Sequence, residues 1–306
     1  MSATTTRVLP VDDDAIVEAS RLILEGEPVA VPTETVYGLA ADATNAEAVA
    51  RIYAAKGRPG FNPLIVHVPD LAAAERLGAF NETARALAER HWPGPLTLVV
   101  PKASPVLPSI VTAGLDSVAI RVPVHPAMQA LLRATNRPLA APSANASGTI
   151  SPTRAEHVLK SMDGRIPLVL DAGPAGIGLE STIVAATGEE LRLLRPGPID
   201  LGLPMTASAT IEAPGMLARH YAPSKPLRLD ATDARGGEFL IGFGPVEGDA
   251  TLSSAGNLIE AAARLFDLLH QADASNAAAI AVAPIPTEGL GLAIRDRLRR
   301  AAHKEN

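Results

Sequence analysis

The segment KGRPGFNP (56–63) sets two cations, Lys56 and Arg58, one residue apart in a glycine- and proline-rich turn. Such a pair suits a multiply charged anion such as a triphosphate, because ammonium and guanidinium groups give charge-assisted hydrogen bonds. Taken alone, a solvated basic loop accounts for the segment better. PTETVYG (32–38) follows a short apolar run and offers hydroxyls to a small polar ligand; a turn with satisfied threonines is the plainer reading. PSANASGTISPT (142–153) strings together small and hydroxylated residues, which let N–H and O–H donors approach a phosphate or ribose. Its alternative is a flexible linker, against which stand the apolar residues before it and the helical pattern after it. GLESTI (178–183) carries a polar pair into a strand, and LRPG (194–197) closes a strand on an arginine. Arg121 lies in the apolar run VAIRV (118–122), where it needs an anion, from either the protein or a ligand. His67 ends the run PLIVHV (63–68) and by itself reads as a satisfied core histidine.

These residues need a scaffold of short elements. Periodicity predicts helices over 13–25, with an acidic N-terminal cap, and over 44–55, capped by Thr44 or Asn45. Further helices are expected over 70–77, 81–91, 258–271 and 290–302, and from Ser151 or Thr153 onward. Apolar, β-branched runs predict strands at 28–32, 63–68, 96–100, 118–122, 167–170, 181–185, 191–194, 238–242 and 278–283. Alternation of strands and helices indicates an α/β sheet covered by helices. Residues 203–226 hold four prolines and no periodicity and read as a linker. The expected division is 1–205, a linker or lid at 206–227, and a small C-terminal α/β unit at 228–306.

Composition narrows the chemistry. The 306 residues include no cysteine, which excludes disulfides, thiolate nucleophiles and cysteine–metal centres. Hydrophobic residues make up 47% and mean hydropathy is +0.17, so a sizeable core is expected. No apolar run reaches the ~18 residues of a membrane span, and three aspartates at 12–14 argue against a signal peptide. The chain is therefore read as soluble and cytoplasmic. Its charge of −6 argues against a generally basic nucleic-acid coat, though not against a local basic groove. No Walker-type phosphate loop, nucleophile elbow or HExxH pair occurs. Aromatics are scarce, at 3%, so Tyr37, inside the PTETVYG motif, and Tyr221, in the linker, stand out as candidates for function.

In this order the strings PTETVYGLAADA (32–43), KGRPGFNPLIVHV (56–68), AIRVP (119–123), APSANASGTISPT (141–153), GLESTIV (178–184) and RPGPI (195–199) resemble the threonylcarbamoyl-AMP synthase family, with its YrdC-like fold. APGMLARHYAPSKPL (213–227) resembles the linker of the family's long form, which carries a C-terminal extra domain. The implied fold is α/β: a twisted mixed sheet covered by helices, followed by a small Rossmann-like α/β domain. The implied reaction converts ATP, L-threonine and bicarbonate into threonylcarbamoyl-AMP and pyrophosphate, for threonylcarbamoyladenosine modification of tRNA.

The resemblance also implies residue roles. Thr35, His67, Arg121, Ala141 and Ser181 match threonine-binding positions, with Arg121 the natural bidentate partner of the amino acid's carboxylate. Arg58, Asn62, Ser117, Ser143, Ser151 and Arg195 match nucleotide-binding positions. Lys56 shares the basic motif and is taken with Arg58 as catalytic, through the phosphates; Asn145 is expected to meet phosphate or magnesium. Tyr221 matches a residue that closes over the nucleotide, which makes the linker a lid. Mg2+ is expected with ATP, held mostly by phosphates because no carboxylate cluster marks a protein-made cage. tRNA or a downstream threonylcarbamoyl-transferase are further expected partners. An RNA-binding module is the competing class, disfavoured by few aromatics and negative charge. A carbamoyl-adenylate enzyme with another carbamoyl source is the other. Arg58→Ala is expected to abolish activity while leaving thermal stability nearly intact.

Overall fold

A computed structural model of the chain describes residues 5–205 and 211–303. The first strands and helices are β1 (Arg7–Pro10), α1 (Asp13–Leu24), β2 (Val29–Val31), β3 (Gly38–Asp42), α2 (Ala46–Lys56), β4 (Ile65–His67), α3 (Leu71–Glu75) and α4 (Glu82–His91). They continue with β5 (Leu96–Pro101), α5 (Ser109–Thr112), β6 (Ser117–Arg121), α6 (Pro126–Thr135), β7 (Leu139–Ala140), α7 (Ala155–Met162), β8 (Leu168–Asp171), β9 (Thr182–Ala185) and β10 (Arg192–Arg195). These ten strands form one mixed sheet in the order β1-β8-β2-β3-β7-β4-β6-β5-β9-β10.

Caps define the helices as the sequence implied. Asp12 accepts from Ala15 N–H to start α1, and Asn45 accepts from Glu47 and Ala48 N–H to start α2. α7 begins at Ala155 with no side-chain cap bond. Strands β1, β3 and β7 and helices α5 and α6 were not expected. β3, GLAAD, has little intrinsic strand preference; it forms because β2 and β7 pair with it on either side and all five residues are buried. α6 has Pro126 in its first turn and buries Ala127, Met128, Leu131, Leu132 and Thr135, a helical spacing that was present in the sequence.

One face of the sheet is covered from end to end. α2, α3, α4, α5 and α7 bury it through residues such as Ile52, Ala74, Ala88, Val111 and Val158, against Val66, Ile120, Leu98 and Val184. The opposite face is covered over half its width, where α1 and α6 pack on Val29, Val31, Leu139, Leu168 and Leu170. Its other half, across β4, β6, β5 and β9, carries Ile65, Ala119, Val99 and Ile183, and among the described residues of the connecting segment the hydrophobic Ala213 and Met216 pack there. That half-bare face is the floor on which the polar clusters gather.

The second unit has strands β11 (Leu227–Arg228), β12 (Glu238–Gly242), β13 (Ala250–Thr251) and β14 (Ala279–Val282), with helices α8 (Leu258–Ala274) and α9 (Leu290–Ala302). Its strands are all parallel, in the order β11-β14-β12-β13, and both helices share one apolar cluster with Ile241, Ile280 and Val282. The GFGPVEG turn after β12 is structural: Gly244 has φ +58°, and a Cβ on Gly242 would stand 2.3 Å from the Val246 carbonyl.

Candidate active site

The loop 32–37 is the tip of a hairpin, since β2 and β3 pair antiparallel on either side of it. Thr33 organises the tip: its hydroxyl donates to Val36 O at 2.6 Å and accepts from the Thr35 and Val36 N–H groups. With that proton spent, Thr35 must be the donor in the 2.8 Å contact between the two hydroxyls. Thr35 Oγ1 in turn accepts from Arg121 Nη1 at 2.9 Å. Arg121 also donates from Nε to Gly94 O at 3.2 Å and from Nη2 to Glu34 Oε1 at 2.5 Å. Burial pushes Glu34 up, and the charge and hydrogen bond of Arg121 more than reverse this, so its carboxyl sits below the ordinary range.

β4 and β6 lie side by side with His67 opposite Arg121 in the register. Burial, reinforced by the charge of Arg121, brings His67 down to about 3, so the ring is neutral at physiological pH, and its Nδ1 has no hydrogen-bond partner. β5 adds Thr97, whose hydroxyl lies 2.7 Å from that of Ser181 at the start of β9. Arg195, ending β10, donates to Ser181 O at 3.0 Å and to Ser181 Oγ at 3.1 Å. Gly197 allows this arrangement, because a Cβ there would stand 2.4 Å from the Thr182 backbone nitrogen.

The basic motif is buried, not solvated. Arg58 donates to Asn62 O at 3.1 Å and Pro63 O at 2.8 Å, and burial lowers it to about 10, where it remains charged at neutral pH. Lys56, at the end of α2, donates from Nζ to Ser143 O and Asn145 O, each at 2.5 Å; burial and then the charge of Arg58 push it well below its usual range. Both side-chain polar atoms of the fully buried Asn62 lack partners, as does Asn145 Oδ1.

Thr35, Arg58, His67, Arg121, Ala141, Ser143, Ser181, Arg195 and Tyr221 all face one cavity. Lys56, Asn62 and Asn145 stand behind its wall. Ser151 does too, with its hydroxyl committed to Glu180 Oε1 at 2.5 Å. Ser117 shares the face of β6 that carries Arg121 but begins the strand, roughly 13 Å further along, and does not line the cavity. Tyr37 is directed elsewhere: its hydroxyl donates to Gly173 O at 2.7 Å and contacts Asp171 at 3.1 Å, clamping the hairpin to the end of β8. Glu34, Glu180 and Thr97 belong to the site and were not singled out from sequence, whereas His220 was expected beside Tyr221 in the lid. Glu34 sits between two threonines inside a quoted motif, the one signal that was available. Burial, with the charges of Arg58, Lys56, Arg195 and Arg297, holds His220 well below its usual range.

A family model described as telomere recombination, the Sua5/YciO/YrdC family, matches residues 21–197. A second, for the C-terminal domain of threonylcarbamoyl-AMP synthases, matches residues 184–303. The threonylcarbamoyl-AMP synthase of Bacillus subtilis is 42% identical over 97% of this chain and 95% of its own length. The chain belongs to the threonylcarbamoyl-AMP synthase family. Its two units make it a long-form member, and membership makes it an enzyme of nucleotidyl transfer. The threonylcarbamoyl-AMP synthase of Pyrococcus abyssi is 40% identical over 93% of both chains. The crystal structure of P. abyssi Sua5 complexed with L-threonine superposes with a TM-score of 0.88, at 38% identity and 97% coverage of both chains. The expected mixed sheet with an appended α/β domain is thus the family fold.

Proposed function

We propose that the cavity joins L-threonine, bicarbonate and ATP into threonylcarbamoyl-AMP and pyrophosphate. The observation that carries this reading is the state of three buried cations. Lys56, Arg58 and Arg195 converge on the cavity and its wall, yet carbonyl and hydroxyl oxygens are their partners, and among the described residues none has a carboxylate within salt-bridge distance. Buried positive charge of this kind calls for an anion, and a triphosphate supplies several charges at once. Arg121 differs, since Glu34 already answers its charge; it retains one N–H on each terminal nitrogen for the carboxylate of threonine.

The chemistry asks for positioning rather than for a covalent nucleophile. The free amine of threonine takes carbon from bicarbonate, forming a C–N bond and releasing water. An oxygen of the resulting N-carboxylate then attacks the α-phosphorus, and the bond to the β-phosphate oxygen breaks to release pyrophosphate. Neutral His67 is suited to accept a hydrogen bond from the amine and, being held near 3, is not its base. Thr35, Arg121 and Ser181 fix the amino acid; Arg58, Ser143 and Arg195 take the phosphates, while Tyr221 excludes water.

Among the described residues no group of three His, Asp or Glu side chains could hold a metal ion. A magnesium ion carried by ATP fits the donors that are present: Asn145 Oδ1 is a buried, partnerless oxygen of the hard type that Mg2+ prefers. The metal would supply further neutralisation of the triphosphate. The product would pass to a transferase acting on tRNA, and a role in the cytoplasm follows from that substrate. No helix among the described residues is long and apolar enough to cross a membrane.

Pyrophosphate release tests the reading. It should require ATP, threonine and bicarbonate together, and release of equal rate without threonine would overturn it.

A further inference from the structure

We propose that Arg297, on the last helix of the C-terminal unit, is a positioning residue for the nucleotide half of the site, so that this unit completes the site. The inference rests on the reading of the cavity given above. Arg297 is fully buried, and its position in a basic helical stretch gave no hint of this. Its Nε donates to Glu180 Oε2 at 2.8 Å, and Nη2 to Glu180 O at 3.4 Å; Nη1 donates to Asp296 at 2.8 Å. Glu180 accepts the Ser151 hydroxyl on its other oxygen at 2.5 Å. A continuous chain therefore runs from α9 through Glu180 to Ser151.

Arg297 also holds the lid. Its guanidinium carbon lies 5.2 Å from the centre of the Tyr221 ring, which leans on Phe266 of α8 at 5.6 Å. Tyr221 needs such support, because its φ is +63°, a backbone region that costs a bulky residue of order 1–3 kcal/mol. The fit extends to the apolar layer. Ile150 and Leu179, the neighbours of Ser151 and Glu180, are buried in the same cluster as Leu265, Phe266 and Ile294 of the small unit. Gly178 touches α8 so closely that a Cβ would stand 2.5 Å from Ala262 O.

A buried ion pair by itself says little about role. Direction comes from where the chain of contacts ends. Arg297 reaches Ser151 and Tyr221, and it shares no hydrogen bond with the Thr33–Thr35–Arg121–Glu34 chain on the threonine side. Losing it should therefore weaken use of ATP and spare use of threonine.

Full-length Arg297→Met, Arg297→Lys and the double variant Glu180→Gln/Arg297→Met are compared with the unsubstituted enzyme in KM for each substrate and in melting temperature. Arg297→Met should raise KM for ATP by about tenfold, one charge-assisted contact's worth, with KM for threonine within about twofold. It should also melt earlier, because Glu180 is left buried and unpaired. The double variant should recover melting temperature without recovering KM for ATP, and Arg297→Lys should lie between. A double variant with normal KM for ATP, or equal rises in both constants for Arg297→Met, would overturn the proposal. An unsubstituted enzyme that forms no threonylcarbamoyl-AMP would count instead against the function reading.

Discussion

Arg121 Nη2 and Glu34 Oε1 stand 2.5 Å apart, both side chains buried beneath the β2–β3 hairpin tip. The sequence left Arg121 to choose between a protein anion and a ligand. The structure satisfies its charge with Glu34, satisfies two further N–H groups with Thr35 and Gly94, and leaves two aimed at the cavity side. On the function proposed above, the pair sets where the carboxylate of threonine docks.

Glu34→Gln should therefore both loosen threonine binding and destabilise the fold by about 3 kcal/mol, as breaking a buried pair does. The folded Glu34 carboxyl is lowered, so its contribution is full above the ordinary carboxylate range and is lost as pH falls through the folded value. Thermal melting followed against pH should show a flatter acid limb in the variant. An unchanged limb would remove the pair from the account.

Three buried histidines predict acid sensitivity of opposite origin. His67 and His270 are lowered to about 3 and His157 to about 4, chiefly by burial. The unfolded chain binds these protons below about pH 6.5 while the folded one resists them, so stability rises with pH across that window. His157 and His270 stack at 3.8 Å between α7 and α8. His157→Gln/His270→Gln should reduce the loss of melting temperature between pH 7 and pH 5, read by calorimetry.

Arg58→Ala should abolish activity, as expected from sequence, but it should not leave stability intact. Its removal strands the buried Pro63 carbonyl, at about 1–3 kcal/mol, and leaves Asn62 O with the Tyr53 hydroxyl as its donor. Chemical denaturation measures this directly, and a variant as stable as the parent would return the segment to the solvated-loop reading.

How much was legible follows from these residues. Order and identity of motifs were enough to bring these residues together, because the hairpin tip, the ends of β4 and β7 and the start of β9 each announce themselves as polar interruptions of apolar sequence. Sequence could not tell lining from wall: Lys56 and Ser151 look like ligands, yet their polar atoms are engaged by Asn145 O and Glu180. Tyr37 stands out in the sequence by its scarcity and its place in a motif, and the structure commits its hydroxyl to Gly173 O. Arg297 was invisible, since one arginine among the basic residues of α9 differs from the rest only by what packs over it. β3 was hidden for a similar reason, its strand form being imposed by neighbours and not by its own residues.

Tyr221→Ala should raise KM for ATP and lower turnover, since the ring closes the cavity and packs on Phe266. Tyr221→Phe keeps the packing and should stay near the parent in melting temperature. Nucleotide affinity and turnover unchanged in Tyr221→Ala would sink the lid role.

The central claim is the identity of the product. Incubation of the full chain with ATP, threonine and 13C-bicarbonate, followed by mass spectrometry, should give threonylcarbamoyl-AMP heavier by the single labelled carbon, and only when all three are present. An unlabelled product, or pyrophosphate formed without any threonylcarbamoyl-AMP, would contradict the account.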